Sequence, residues 1–218
     1  MTPINVFIGF DSRQPLAFQV AAHSVWKTSG CSVSVTRLDL RHLPVGRRGL
    51  TEFTYSRFLA PWLCAYKGMS VFLDSDVLVR EDVVELLGYA MAYPKTPVFV
   101  VKGPRKFEWA SLMVFNNPLC QMLTPAYVEN RRLNPLAFPW AHTVGELPKE
   151  WNHLVGYDVP NPEAKLVHFT QGIPIWPETK ECEFAAEWHA AAREMNSSVS
   201  FESLMGRSVH VAHMKVGA

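Results

Sequence analysis

A run of apolar residues that ends in two aspartates constrains the fold of this 218-residue chain more than any other feature. Val71-Phe72-Leu73 has the composition of a fully buried β-strand, and Asp74-Ser75-Asp76 follows it directly. Residues two apart on an extended chain point to the same side, so both carboxylates face one direction. Open α/β sheets bind ligands just beyond the ends of their strands. The segment therefore predicts a ligand site at a sheet edge.

Apolar strands alternate with helical patterns along the rest of the chain. Strands are predicted at residues 4–10, 33–38, 71–73, 98–101, 112–115 and 166–169. Helices are predicted at residues 16–27, 51–65, 83–91, 119–130 and 183–195, with Pro61 expected to kink or end the second. This alternation predicts an α/β sheet covered on both sides. No linker is visible, so we expect a single domain over residues 1–218, with the proline-rich stretch 131–150 lying over the active site.

Charge and cysteine content exclude several classes of function. The formal net charge is +1, so the chain has no overall bias towards nucleic acid or an anionic membrane. No apolar run approaches the ~18–20 residues of a membrane span, and the N-terminus does not resemble a signal peptide. The four cysteines are too far apart to form a zinc ribbon or a dithiol motif. We therefore expect a cytoplasmic protein without a membrane span.

The aspartate pair favours a metal site. Two neighbouring carboxylates repel each other unless a cation or a proton lies between them, and oxygen ligands of this kind suit Mg²⁺ or Mn²⁺. Asp74 and Asp76 are therefore candidate ligands, and His168, at the end of a later strand, is a candidate third. Gly172 would let backbone amides approach a phosphate. The alternative is a solvated turn in which the aspartates cap a helix. His210 and His213, which have no carboxylate nearby, are expected to be structural.

An arginine upstream of the aspartates is the second candidate for the site. Tyr55 and Arg57 are two apart on a predicted helix, so they point to different sides. We expect Tyr55 to pack against the sheet and Arg57 to face the cleft, where it could reach phosphate or sugar hydroxyls. The alternative is a structural ion pair of Arg57 with Asp74, Asp76 or Glu52.

These segments together resemble glycosyltransferase family 8. Members carry a T-Y-x-R element, then an apolar strand ending in D-x-D-V-L-V, and later an H-x-x-G element followed by K-P-W. Residues 54–79 match the first two motifs, and His168, Gly172 and Trp176 match the third with a small change in length. Residues 148–152 resemble the family's Pro-aromatic-Asn segment, and residues 4–13 its first strand. The resemblance spans roughly residues 4–177.

The resemblance implies a GT-A type nucleotide-sugar-binding fold with a Rossmann-like, mixed central sheet. It implies transfer of a hexose from a UDP-sugar to a hydroxyl acceptor, with retention at the anomeric carbon and with Mn²⁺ or Mg²⁺ held by Asp74, Asp76 and His168. The acceptor could be a glycan, a small molecule or a modified macromolecule. Arg57 and Asp76 would be catalytic. The residues implied in donor binding are Asp11, which would read the base, Arg13, Tyr55, Asp74, Ser75 and Gly172. Residues from about 4 to 130 would bind the sugar nucleotide, and 131–218 would supply acceptor-side loops and a C-terminal helix.

The sequence departs from the family at two charged elements. The lysine of the last motif is absent, with residues 173–175 in its place, and the acidic D-Q-D element has no match in residues 138–143. Arg13, Arg57 or a loop lysine could replace the missing cation. Trp109 and Trp140 could contact the sugars or pack in the core.

Two other functions stay open from the sequence. One is a phosphatase of the haloacid dehalogenase type that uses Asp74 and Asp76, although only Asp82 and Asp158 remain to supply its second acidic cluster. The other is a non-catalytic nucleotide-sugar-binding module, which the missing lysine and acidic element would favour.

Overall fold

The structure, a computed structural model, describes residues 3–196. The strands are β1 (Ile4–Phe10), β2 (Val33–Asp39), β3 (Met69–Leu73), β4 (Val77–Val79), β5 (Val98–Val100), β6 (Leu112–Asn116), β7 (Val144–Glu146), β8 (His153–Leu154) and β9 (Leu166–His168). The α-helices are α1 (Pro15–Thr28), α2 (Ala60–Leu63), α3 (Val84–Ala92), α4 (Pro125–Glu129) and α5 (Ala185–Met195). Within residues 3–196, no helix is long and apolar enough to cross a membrane. His210 and His213 lie outside the described residues.

A mixed six-stranded sheet forms the centre of the fold, in the order β2-β1-β3-β6-β5-β7. Strand β1 runs parallel to β2 and β3, whereas β6 runs antiparallel to β3 and β5. A smaller sheet has the order β4-β9-β8. The carboxyl ends of β1, β3 and β5 and the amino end of β6 therefore meet at one edge of the large sheet. Residues that follow β3 can thus contact residues that precede β6.

Alternate side chains of the central strands pack on opposite faces of the large sheet. Val6 and Ile8 join one apolar cluster, and Phe7 between them joins a second. The first cluster lies under α1 and α3, which supply Val25 and Leu86. The second is covered by the short helices α2 and α4 and by the segments beside them. The predicted α/β sheet with helices on both faces is confirmed. Burial on both faces also explains why the strands are continuously apolar in the sequence.

The smaller sheet packs against α1 and α5. Val20 of α1, Val167 of β9 and Trp188 of α5 are all buried in this third cluster. The strand predicted at residues 166–169 is present as β9, but it lies in this sheet and not in the large one. Strand β4, immediately after the two aspartates, was not predicted, because three residues carry no measurable periodicity.

Two predicted helices are largely wrong. Residues 51–65 form turns, a 3₁₀ turn at Ser56–Leu59 and the single α-turn α2, in which Pro61 occupies the first turn, where its missing N–H is tolerated. Of the helix predicted at residues 119–130, only α4 forms, with the Thr124 hydroxyl accepting the Tyr127 N–H at 3.1 Å. In both cases a proline lies in the first turn of a new, shorter helix, which divides the predicted one.

The stretch 131–150 also differs from its prediction. It supplies β7, the edge strand of the large sheet, and it buries Trp140 in the second apolar cluster. The Trp140 N–H donates to the Pro135 carbonyl at 3.0 Å. Trp140 is therefore a core residue, and its suggested contact with a sugar is wrong.

Gly9, near the end of β1, allows Phe53 to pack directly on the backbone of the strand. A Cβ at this position would lie 2.4 Å from Phe53 Cγ. Phe53 is buried and lies 6.4 Å, between ring centroids, from Phe72 of β3. A side chain at position 9 would therefore displace the aromatic layer beneath the sheet edge.

We expect Gly9→Ala to lower the free energy of unfolding by about 1–3 kcal/mol, because it overpacks a closed contact. Gly88→Ala is the matched control: Gly88 is in α3, and a Cβ there meets no atom within 4 Å. We expect this variant to gain about 0.5–1 kcal/mol, since alanine favours a helix. Urea unfolding measures both changes. Equal effects of the two substitutions would contradict the role assigned to Gly9.

Candidate active site

Strand pairing brings together the three residues predicted to bind a metal. Asp74 follows β3, and its N–H donates to the Ser111 carbonyl at 2.8 Å. Asp76 precedes β4, which pairs antiparallel with β9 so that Val77 lies opposite His168. One ligand atom from each of Asp74, Asp76 and His168 lies within 4.8 Å of the others. The sequence prediction that these three side chains converge is confirmed.

Burial and neighbouring charges perturb all three residues. Burial raises the pKa of Asp74 to about 7, although the Arg57 guanidinium opposes this shift. Burial also acts on Asp76, but the neighbouring charge of His168, with Nε2 3.4 Å from Asp76 Oδ1, outweighs it and holds the pKa of Asp76 below its usual value. For His168, burial disfavours the charged ring, but Asp76, Asp74 and Glu108 together raise its pKa to about 9.

The cluster fits a divalent cation. Asp74 Oδ1 and Asp76 Oδ1 are buried and make no hydrogen bond. Their electrostatic contacts are an Arg57 nitrogen 2.9 Å from the first and His168 Nε2 3.4 Å from the second. Buried carboxylate oxygens are costly without hydrogen bonds, and a bound cation would satisfy both. Two carboxylates and an imidazole suit Mn²⁺ better than Ca²⁺, because Ca²⁺ prefers oxygen ligands alone.

Arg57 was expected to face the cleft, but this expectation is wrong, because its side chain is only 7% exposed. Its guanidinium lies 5.3 and 5.1 Å from the ring centroids of Phe53 and Phe72, and Nη1 donates to the Ala110 carbonyl at 2.7 Å. The same nitrogen is 2.9 Å from Asp74 Oδ1. The structural ion pair considered from the sequence is therefore present, although it lies within the metal-binding cluster.

Tyr55 packs beside the second apolar cluster, as predicted. The guanidinium of the buried Arg47 lies 3.7 Å from its ring centroid. Arg47 also donates to the carbonyls of Val128, Asn130 and Leu133, so this stack is part of a structural anchor. A contact of Tyr55 with the donor stays a prediction.

Asp11 and Arg13 form a pair at the end of β1. Asp11 is buried, and Arg13 Nε and Nη2 donate to its two oxygens at 2.8 and 2.5 Å. The hydrogen bonds from Arg13 hold the pKa of Asp11 below its usual value despite burial. Because β1 lies beside β3, with Ile8 opposite Leu73, this pair occupies the same sheet edge as Asp74. The Arg13 side chain is 66% exposed and stays available to a ligand.

Ser75 and Gly172 have mainly structural surroundings. Ser75 is buried between the two aspartates. Gly172 has a φ of 112°, which favours glycine, and its N–H donates to the Phe169 carbonyl at 2.8 Å. The amide of Gly172 is thus engaged in a turn, so the idea that this amide itself approaches a phosphate is not supported.

A hydrogen-bond chain not recognised from the sequence orients His168. The Ser111 hydroxyl donates to the Glu108 carbonyl at 2.6 Å, so its oxygen accepts the Asn152 Nδ2–H at 2.9 Å. The other end of the amide, Asn152 Oδ1, then faces His168 Nδ1 at 3.2 Å. An amide oxygen only accepts, so Nδ1 carries a proton and Nε2 points towards Asp76 as a ligand atom.

The sequence contains only weak signals for this hydrogen-bond chain. Asn152 belongs to the segment that resembles the family's Pro-aromatic-Asn motif, and Ser111 lies in Trp109-Ala110-Ser111, which replaces the family's N-A-G element, whereas no motif includes Glu108. Glu108 Oε2 lies 3.9 Å from His168 Nδ1. Residues 106–111 form a 3₁₀ turn before β6, and only the antiparallel pairing of β6 with β3 brings them beside Asp74.

A cavity of about 200 Å³ adjoins the cluster. Glu108, Trp109 and Asn152 are among its lining residues. The Trp109 N–H donates to the Gly103 carbonyl at 2.9 Å. Trp176, which does not line this cavity, is half exposed. A larger cavity of about 510 Å³ lies beside α1 and α5. Asp74, Asp76 and His168 line neither cavity, but Asn152 Oδ1 and Glu108 Oε2 of the smaller one lie 3.2 and 3.9 Å from His168 Nδ1. Of these two cavities, the smaller one therefore adjoins the site.

Comparison with known proteins identifies one related sequence and several related folds. The chain is 33% identical to Protein CDI of Arabidopsis thaliana over 228 residues, covering 89% of this chain and 88% of that protein. No protein-family model matches the sequence.

Three of the solved structures that share the fold are glycosyltransferases. The WbbM bifunctional glycosyltransferase matches with a TM-score of 0.63 and 16% identity over 94% of this chain, and the chain spans about half, 51%, of WbbM. The galactosyltransferase LgtC matches with a TM-score of 0.60 and 12% identity, covering 93% of this chain and 99% of LgtC. GlyE of Streptococcus pneumoniae matches with a TM-score of 0.65 and 14% identity, covering 88% of this chain and 60% of GlyE. The predicted GT-A fold is confirmed.

We expect Asn152→Ala to weaken Mn²⁺ binding by about 10- to 100-fold, because His168 loses the acceptor that fixes its ring. Asn117→Ala is the matched control. Asn117 is also buried, accepts from the Ser70 hydroxyl at 2.8 Å and donates to the Lys67 carbonyl at 2.9 Å, but it touches none of the cluster residues through these bonds.

Both variants should lose stability by roughly 1–3 kcal/mol, since each leaves buried polar groups without partners. Only Asn152→Ala should change the metal affinity, measured by the paramagnetic resonance signal of free Mn²⁺. If the two variants bind Mn²⁺ equally well, Asn152 does not orient a metal ligand.

Proposed function

The chain belongs to the family of Protein CDI from Arabidopsis thaliana, and we propose that it is a metal-dependent glycosyltransferase that transfers a hexose from a UDP-sugar to a hydroxyl acceptor. The observation that carries this proposal is the convergence of Asp74, Asp76 and His168 at the open edge of a GT-A fold. The resemblance to glycosyltransferase family 8 supports the UDP-sugar donor and the retaining outcome.

Asp74, Asp76 and His168 would hold a Mn²⁺ or Mg²⁺ ion. When bound, this ion would supply Lewis-acid stabilisation of the negative charge on the departing diphosphate. The chain itself prepares the site by burying one oxygen of each carboxylate and by directing His168 Nε2 towards Asp76 through the Asn152 amide. Asp76, with its side chain 28% exposed, is the more accessible of the two carboxylates.

Arg57 acts in this proposal mainly through Asp74. Its guanidinium is fixed by the Ala110 carbonyl and by two aromatic rings, so it presents a preorganised positive charge at the buried end of the cluster. A fixed charge stabilises a developing anion without reorganisation. The exposed Arg13 is the better candidate to replace the family's missing diphosphate lysine by direct contact.

The order of the strands suggests how a donor would lie. Asp11 and Arg13 follow β1, on one side of the aspartate pair, and would contact the nucleotide. Glu108 and the cavity beside it precede β6 and follow β5, on the opposite side. The diphosphate would lie between them at the cluster, and the hexose and the acceptor would lie on the side of the cavity.

The non-catalytic module remains the second candidate, because the family's lysine and acidic element are absent. The phosphatase has no comparable support: Asp74, which would be its nucleophile, is paired with Arg57 in a GT-A fold. Product analysis separates all three functions, since they release UDP, nothing or inorganic phosphate.

We expect Asp76→Asn to reduce metal-dependent release of UDP by on the order of a hundredfold or more, because it removes a charged ligand. Asp82→Asn is the matched control. Among the described residues, the Asp82 carboxylate accepts hydrogen bonds only from the backbone N–H groups of Gly30 and Val84. A coupled UDP assay over a set of UDP-sugars with Mn²⁺, with and without chelator, measures the effect. Full activity in Asp76→Asn, or in the presence of chelator, would contradict the metal-dependent mechanism. UDP-sugar binding without UDP release would favour the non-catalytic module.

We expect Arg57→Lys to reduce kcat/KM by about tenfold or more, equivalent to about 1.4 kcal/mol, since lysine keeps the charge but loses the planar fork. Arg47→Lys is the control: Arg47 is equally buried but contacts three carbonyls and Tyr55 away from the aspartates. Arg47→Lys should lower the melting temperature, and it should leave kcat/KM unchanged at a temperature where both variants are folded. A similar loss of kcat/KM in both would mean that Arg57 acts through stability alone.

A further inference from the structure

The cavity beside the cluster is bounded by two segments, residues 101–109 and 149–158. Two of its lining residues also surround His168, because Asn152 Oδ1 and Glu108 Oε2 lie 3.2 and 3.9 Å from His168 Nδ1. A ligand in this cavity would therefore lie next to the proposed reaction centre. At about 200 Å³, the cavity is smaller than the ~300–1,000 Å³ of sites for drug-sized ligands, which favours a ligand with about one sugar ring.

Arg105 lines this cavity, and its guanidinium N–H groups have no acceptor among the described residues. Its guanidinium stacks on Tyr157, with Cζ 3.5 Å from the ring centroid. Within residues 3–196 it makes no side-chain hydrogen bond and no ion pair. The two other cations of the cavity differ: Lys149 Nζ lies 2.8 Å from Asp158 Oδ1, and Lys102 Nζ lies 4.0 Å from Glu146 Oε2.

Stacking on Tyr157 prepares Arg105 for an anion. A guanidinium that lies flat on a ring keeps its N–H groups in its own plane, directed outwards, where a carboxylate or a phosphate can accept two of them at once. Because the ring already restrains the side chain, less rotamer freedom is lost when the anion binds. Arg105 is only partly exposed, so its interaction with an anion is less screened than that of a fully exposed arginine.

The acidic groups of the cavity do not occupy Arg105. Asp158 accepts from Lys149 and from the Leu154 N–H at 2.8 Å, so its charge is balanced within the chain. Burial raises the pKa of Glu108, although the His168 ring opposes this shift, and Glu108 Oε2 lies 3.9 Å from His168 Nδ1. Of the three cations that line the cavity, Arg105 is therefore the one without an ion-pair partner among the described residues.

From these observations we propose that the cavity is an acceptor site and that the acceptor is a sugar with an anionic substituent, a carboxylate or a phosphate, bound by Arg105. The assignment to the acceptor rests on the proposed function. The selection of an anionic sugar does not, because it follows from Arg105, Tyr157 and the volume of the cavity. Trp109 lines the same cavity and supplies an aromatic surface for the sugar ring.

The test measures binding to the whole chain without metal or UDP-sugar, by following the arginine Nε–H signals in ¹H–¹⁵N spectra. The probes are D-glucuronate, D-glucose 1-phosphate, D-glucose and inorganic phosphate, and Arg105→Lys identifies the signal of Arg105 by its loss. We expect one or both anionic sugars to shift this signal and to bind at least tenfold more tightly than D-glucose. Inorganic phosphate should bind more weakly than D-glucose 1-phosphate.

Variants separate the role of Arg105 from general surface charge. Arg105→Gln should weaken binding of the anionic sugars at least tenfold, with Arg105→Lys intermediate. Arg132→Gln, which removes an exposed arginine, should leave it unchanged. Equal binding of D-glucose and the anionic sugars, or unchanged binding in Arg105→Gln, would overturn the proposal. Inorganic phosphate binding as tightly as D-glucose 1-phosphate would also overturn it, because the site would then recognise a free anion.

Turnover separates this proposal from the proposed function. If UDP is released from a UDP-sugar, the anionic sugar that binds should increase the rate in the wild type and not in Arg105→Gln. UDP release that no anionic sugar stimulates would overturn the acceptor site while the glycosyltransferase stands. Anionic-sugar binding that depends on Arg105, in a chain that never releases UDP, would contradict the glycosyltransferase and leave the sugar site in place.

Discussion

The buried ion pair between Arg57 and Asp74 joins the segments from which the site is made. Asp74 is the first residue after the central strand β3, where burial of a carboxylate is costly unless a cation lies nearby. Arg57 supplies that charge, and the Ala110 carbonyl and the rings of Phe53 and Phe72 hold it in place. Loss of one partner of a buried pair typically costs about 3–5 kcal/mol. The ion pair thus links the aromatic layer under β1 to the turn that precedes β6.

Strand pairing then determines which side chains surround Asp74. The antiparallel pairing of β3 and β6 brings the 3₁₀ turn with Glu108 and Ser111 to the same edge. The pairing of β4 with β9 places His168 beside Asp76, and the Asn152 amide orients the ring. Each of these residues is far from Asp74 in the sequence, so the composition of the cluster depends on the strand register of the two sheets. The cavity lined by Arg105 lies on one side of this cluster, and the Asp11–Arg13 pair follows β1 on the other.

The errors in the predicted elements have a common physical cause. The apolar residues of 51–65 and 119–130 have helical spacing, and several of them, such as Phe58 and Leu123, are buried. However, prolines interrupt the backbone hydrogen bonds, and the segments form short turns. Burial against the second apolar cluster compensates for the missing helix. The two interpretations of Trp140 could not be separated for a different reason, since a buried tryptophan in a loop and a sugar-stacking one have the same local sequence pattern.

The sequence by itself determined the α/β fold, the strand that ends in Asp74 and Asp76, and the partnership of this pair with His168. These features are readable because continuous burial demands apolar strands, and because two neighbouring carboxylates at the end of a buried strand favour a bound cation. Tertiary structure alone decided that Arg57 is buried, that Asp11 is paired with Arg13, and that Asn152 and Ser111 fix His168. Arg105 is likewise left stacked but without a polar partner among the described residues only because the fold sets it on Tyr157. Such roles depend on contacts between segments far apart in the chain, and local pattern carries no information about which segments meet.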